Sequence, residues 1–154
     1  MAEDPVITDE MRSMIGVESD TSVYEIEKGA IRKWADAIGD PNPLYHDEKY
    51  AKKRGYRSII APPAFIAHYA FPIEPSQKQV SIRNPFTRRL NGGNEYESFQ
   101  AIQAGDFITS TTKVAELFER EGRLGKMLFI IYETTHKNQE GGVVAKARKI
   151  SINY

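Results

Sequence analysis

Asp40, Asn42, Tyr45, His46 and Asp47 fall within eight residues. No other stretch of the chain is as dense in acid, amide and imidazole groups. A carboxylate and an imidazole this close are the two partners that general acid–base chemistry requires, if both reach one water or one substrate proton. Pro41 and Pro43 fix their own φ angles and keep Asp40 and Asn42 out of the helical region. The polar groups therefore stand on a stiff loop, which suits a site.

The flanking elements must hold that loop in place. Ile31, Trp34, Ala35 and Ile38 recur at helical spacing, so a helix is expected over Lys28–Ile38, with Gly39 as its C-cap. It delivers its C-terminus into Asp40. Beyond the loop, Asp47 to Arg54 reads as a helix or wrapped segment, and Gly55 to Ser58 as a turn. Ile59-Ile60-Ala61-Pro62-Pro63 then leads into Ala64–Phe71, which is apolar nearly all round apart from His68. Such a helix is expected to be enclosed. Pro63 suits its first turn, and Pro72 and Pro75 end it. His68 reads either as a satisfied core histidine or as part of a tunnel wall.

Upstream, residues 8–16 read as a short helix capped by Thr8, followed by a strand through Val23, Tyr24 and Ile26. Residues 76–93 carry two basic clusters and the turn-like Asn91-Gly92-Gly93. Strand-like runs follow, one through Tyr96, Phe99 and Ile102, the others at Phe107–Phe118, Lys126–Thr135 and Val143–Asn153. Short turns at Gly105, Gly122 and Gly141 separate them, which predicts an antiparallel meander. The expected class is α+β: one buried central helix wrapped by a curved antiparallel sheet.

The chain has 154 residues, the size of one ordinary domain, with residues 1–22 as an N-terminal extension. Lys plus Arg and Asp plus Glu both number 21, so charge supplies no case for nucleic acid or an anionic membrane as partner. There is no cysteine, which excludes disulfides and thiolate metal sites, and the three histidines are scattered. No metal is expected. No signal core or transmembrane run occurs, and a cytoplasmic location is the expectation.

Gly39-Asp40-Pro41-Asn42-Pro43 followed by a histidine resembles the Gly-Asp-x-Asn-Pro-x-His signature of the MaoC-like family, the (R)-specific enoyl-CoA hydratases. Ile60-Ala61-Pro62-Pro63 stands where that family has Ile-Ala-His-Gly, and Ala104-Gly105-Asp106-Phe107-Ile108 resembles its Pro-Gly-Asp-Thr-Leu turn. The longer run through NPLYHDEKYAKKRGY and IIAPPAF is most similar to the N-terminal-half subgroup, the fatty-acid-synthase-type dehydratase domains. The resemblance covers residues 20–154.

It implies a single hot-dog domain and reversible addition of water to an enoyl thioester, with no metal or redox cofactor. The substrate would be an acyl-CoA or acyl-carrier thioester, and Asp40 and His46 would be the catalytic acid/base pair. Asn42 would fix the loop. Tyr45, Pro63, Ala64 and His68 would face substrate. Arg83, Arg88 and Arg89 are either solvated surface or partners for coenzyme A phosphates. The resemblance also implies a dimer with a second hot-dog, homo- or heteromeric, which would cover an open sheet edge. Two departures point to an alternative. Tyr45 stands where the family has its histidine, with His46 one residue later, and Pro63 stands where a glycine N–H would meet the thioester oxygen. The alternative is a non-catalytic, acyl-binding subunit of a heteromeric hot-dog dehydratase. A thioesterase-like hot-dog is a third reading, although it would not need the Asp-x-Asn-Pro loop.

Overall fold

The computed structural model describes residues 5–123 and 125–154. The first four residues of the expected N-terminal extension lie outside them. The extension forms α1 (Asp9–Ser13), where the Thr8 side chain accepts the Met11 amide and Met11 is buried. β1 (Ser22–Glu25) follows, then α2 (Lys28–Ala37). α2 buries Ile31 and Ala35, as its spacing requires. α3 (Glu48–Lys53) and α4 (Phe65–His68) are short. The rest is strand: β2 (Arg89–Ser98), β3 (Phe107–Gly122), β4 (Gly125–Lys137) and β5 (Val143–Asn153).

The strands form one five-stranded sheet in the order β1-β3-β4-β5-β2, antiparallel throughout. β3, β4 and β5 make the expected meander, and the domain has the hot-dog layout. Two details differ from expectation. Asn91-Gly92-Gly93 is not a turn: β2 runs straight through it, with a bulge between Asn91 and Gly93. A Cβ on Gly92 would lie 2.8 Å from side-chain atoms of Ile150 and Ile152, so glycine lets the strand cross β5 closely here. The strand also ends earlier than expected, because the Phe99 and Gln100 amides both donate to the Val144 carbonyl.

The second difference concerns the central helix. The expected Ala64–Phe71 helix is a single turn. Phe65 and Ile66 are buried, but Ala67 and His68 are exposed, and Phe71 is 84% exposed. Ala64 enters with φ 64°, a left-handed value. Pro72 biases Phe71 away from the helical region. The chain then turns back to β1, where the Ile73 amide donates to Val23 O at 2.8 Å and Val23 N donates to Glu74 O at 2.7 Å.

Apolar burial is divided between two clusters. One gathers Ile31, Ala35, Phe65, Ile108 and Val144 from α2, α4, β3 and β5. The other gathers Ile7, Met11, Ile82, Val114 and Leu128. Full burial of such side chains stabilises by about 1.5–3 kcal/mol each. On β3, Ile108 and Val114 belong to different clusters, and Ser110 and Thr112 lie between them on the same face. Ser110 pairs with His136 and Thr112 with Thr134 across β4, so the middle of the inner face is polar.

Candidate functional site

α2 ends directly at the loop, where the Asp40 amide donates to Ala35 O at 2.9 Å. The loop is then built from side chains bonding nearby amides, as such polar residues do in turns. Asn42 N donates to Asp40 Oδ1 and Leu44 N to Asn42 Oδ1, each at 3.0 Å. Pro43–Tyr45 forms a 3-10 turn. Asp47 caps α3 by accepting the Lys49 and Tyr50 amides. Ile60 N donates to Leu44 O, and Ala61 N to Ile102 O, which ties the loop to the segment entering α4.

Within this frame the imidazole and the carboxylate face different tasks. His46 places Nε2 3.0 Å from the main-chain oxygen of Asp40, and Nδ1 lies 3.9 Å from Asp36 Oδ1. Its ring fastens the loop to the end of α2. The buried residue beside the Asp40 carboxylate is Tyr45, one position earlier. Burial raises the Tyr45 phenol above its ordinary pKa, the Asp40 charge raises it further, and a hydrogen bond from the Asn42 side chain offsets part of this. The one-residue offset noticed in the sequence thus turns His46 outward and Tyr45 inward.

The start of α4 is similarly committed. Pro63 has no N–H to offer. The backbone of Ala64 hydrogen-bonds the Tyr96 hydroxyl, lowering a phenol pKa that burial raises. Tyr96 borders two cavities. The smaller, about 240 Å³, lies between Ile60–Pro63 and Ser98–Ile102 and brings Tyr45 and Pro63 together. The larger, about 420 Å³, lies over the inner face of the sheet and includes His68. The core-histidine alternative for His68 does not hold: the residue is exposed, because the helix that would have enclosed it stops after one turn. Asp40, Asn42, His46 and Ala64 line neither cavity. Arg83, Arg88 and Arg89 are exposed.

The larger cavity also holds a histidine that sequence reasoning missed. His136 is 3% exposed, and its Nδ1 lies 2.6 Å from Ser110 Oγ. Burial lowers its pKa to about 4 from 6.5, so the ring is neutral. The available signal was Ser110 and Thr112 on one strand with Thr134 and His136 on another, polar residues at two-residue spacing on faces that otherwise point inward. Among the described residues, no group of three or more His, Asp or Glu is placed to hold a metal ion.

Residues 13–147 match the family model described as the FAS1-like dehydratase domain region. The chain belongs to this family. A UPF0336 protein of Thermobifida fusca is 38% identical over 101 residues, covering 61% of this chain and 62% of that protein. A UPF0336 protein of Streptomyces avermitilis is 33% identical over 98 residues, covering 63% and 65%. The matches thus span less than two thirds of the length of these curated relatives. A probable enoyl-CoA hydratase alpha subunit of Thermomonospora curvata is 29% identical over 132 residues, covering 77% of this chain and 41% of that protein.

Solved structures share the fold at lower identity. The ChsH1-ChsH2 complex of Mycobacterium tuberculosis contains a chain with TM-score 0.72 and 18% identity, covering 89% of this chain and 84% of that one. The HadBC (3R-hydroxyacyl-ACP dehydratase) complex of the same organism gives TM-score 0.71 and 15% identity, covering 91% and 97%. The MaoC-like dehydratase of Rhodospirillum rubrum gives TM-score 0.66 and 18% identity, covering 91% and 92%. The FAS1-like dehydratase domain thus has MaoC-like hot-dog neighbours. No helix in the described residues is long and apolar enough to cross a membrane.

Proposed function

We propose that this FAS1-like dehydratase domain is the acyl-binding subunit of a heteromeric hot-dog hydratase/dehydratase, which adds water reversibly to an enoyl thioester in a partner subunit. The observation that carries the reading is the setting of His46. Its Nε2 is spent on the Asp40 main-chain oxygen, 3.0 Å away, and the carboxylate has Tyr45 beside it instead. General acid–base hydration needs both groups within reach of one water. The Pro63–Ala64 start of α4 adds support, because the first residue lacks an N–H and the backbone of the second is engaged by Tyr96. A donor aimed at developing enolate charge is the other half of this chemistry.

In this reading Tyr45, Pro63 and His68 form walls for the acyl chain, and Asn42 and Ala64 hold those walls in position. The partner is a second hot-dog subunit. Two structural neighbours are heteromeric complexes, ChsH1-ChsH2 and HadBC, which makes such a pairing a reasonable model. A second reading keeps the catalysis here, with Asp40 and His46 as the acid/base pair. The half-buried Asp40 carboxylate on its stiff loop favours it.

Hydration of crotonyl-CoA separates the two. The purified chain alone is expected to show no hydration, and activity is expected when a catalytic hot-dog subunit is added. If the chain alone hydrates crotonyl-CoA and Asp40→Asn removes at least about a hundredfold of the rate, the accessory reading fails and Asp40 is catalytic.

A further inference from the structure

The larger cavity raises a question that its role as a wall does not answer. Its floor is the polar middle of the sheet: Ser110 and Thr112 from β3, Thr134 and His136 from β4. The two threonine hydroxyls lie 2.8 Å apart and share a hydrogen bond. Ser110 Oγ and His136 Nδ1 do the same at 2.6 Å. His136 Nε2 is buried and has no hydrogen-bond partner among the described residues. A buried polar nitrogen without a partner destabilises the fold, which an aliphatic side chain at this position would avoid. On the same face of β3, the residues at either end of this polar stretch, Ile108 and Val114, are aliphatic.

We infer that this cavity receives the distal part of an acyl chain bearing a hydroxyl or carbonyl oxygen, and that His136, held by Ser110, recognises that oxygen. The inference rests on the acyl-binding reading above and narrows its substrate class. At about 420 Å³ the space falls within the ordinary range for small-molecule sites. Ile66, Val80 and Ala147 supply apolar wall. Tyr96 borders this cavity and the smaller one that holds Tyr45 and Pro63, so one side chain is common to both walls. The single-turn α4 leaves that space open.

The chemistry of the pair defines the ligand group. If Ser110 donates to Nδ1, the proton of the neutral ring sits on Nε2, which donates to a carbonyl or hydroxyl oxygen. If Nδ1 donates to Ser110, Nε2 accepts from a hydroxyl. A hydroxyl satisfies either tautomer and a carbonyl only the first. A saturated chain satisfies neither and leaves the nitrogen unpaired. Sites built around such a group discriminate against the analogue that lacks it.

The test is binding of dodecanoyl-CoA and a positional series of its hydroxy derivatives to the full chain, followed by calorimetry and by imidazole nitrogen NMR. At least one hydroxy derivative is expected to bind about tenfold tighter than the parent and to shift the His136 Nε2 resonance. His136→Phe and Ser110→Ala, each checked for a cooperative melt, are expected to lose the preference. The NMR shift is read on the unaltered protein, so it stands even if a variant fails to fold. Equal binding of the whole series with His136 unmoved overturns oxygen recognition and leaves the acyl-binding reading intact. No binding by any member overturns both.

Discussion

His136 is neutral in the folded sheet because burial lowers its pKa to about 4 from 6.5. Between those values the unfolded chain binds a proton that the folded chain refuses. Stability from this residue is therefore complete above pH 6.5, falls as pH drops toward 4, and levels off below. At full effect the loss is about 3 kcal/mol, set by the size of the shift. Glu95, Arg148, Lys149 and His68 border the same cavity, but desolvation is the cause of the His136 shift. Glu48 titrates in a separate window. Lys28 and Lys52 hold it at about 2 against 4.5, so its contribution is present above 4.5 and is lost only as pH falls toward 2. Urea denaturation of wild type and His136→Phe at several pH values checks this. The wild type is expected to lose stability between pH 6.5 and 4, and the variant to show a flatter profile there. A variant as steep as wild type would assign the slope to another group.

At the scale of elements, Asp106 is the joint that locks the meander to the segment entering α4. It is 5% exposed, and its Oδ2 accepts the Gln103 amide at 2.8 Å. Its Oδ1 accepts from Arg57 Nη2 and from Gln139 Nε2. The Arg57 side chain is 55% exposed, so solvent weakens that ion pair and the less exposed Gln103 amide bond carries more of the effect. Asp106→Ala is expected to cost about 3 kcal/mol, because it strands the half-buried Gln103 amide and removes a buried, paired charge. Asp106→Asn keeps one acceptor and is expected to cost less, with the ordering read from denaturation midpoints. This joint was legible as the Ala104-Gly105-Asp106 turn, and α2 and the three long strands were legible because each carries a clear period in its apolar residues. β2 and α4 were not. β2 hides behind Asn91-Gly92-Gly93, where glycine reports close packing on Ile150 and Ile152 and not a chain reversal. α4 reads as a long buried helix because composition records apolar content but not where the chain turns back to pair with β1. The same limit hid His136, whose importance depends on Ser110 standing opposite it across two strands.

At the scale of the whole molecule, the sheet leaves β2 as an edge with β5 on one side only. The Phe99 amide donates to Val144 O, so ladder alternation directs the Glu97 and Glu95 amides toward β5 and those of Asn94, Tyr96 and Ser98 outward. An open row of donors beside exposed Leu90 and Phe99 invites pairing with another sheet. Proline is tolerated on an edge strand where its missing N–H faces away from the ladder. Asn94→Pro is therefore expected to spare the β2–β5 pairing and remove an outward donor. If a second hot-dog continues the sheet through β2, the wild type sediments as a dimer or larger and Asn94→Pro dissociates at least about tenfold more readily, with β5 amides still protected from exchange. Unchanged sedimentation with β5 protected would mean that β2 is not the joining edge. The interface would then lie elsewhere, with the exposed Phe71 and Ile73 beyond α4 as the apolar surface to substitute next.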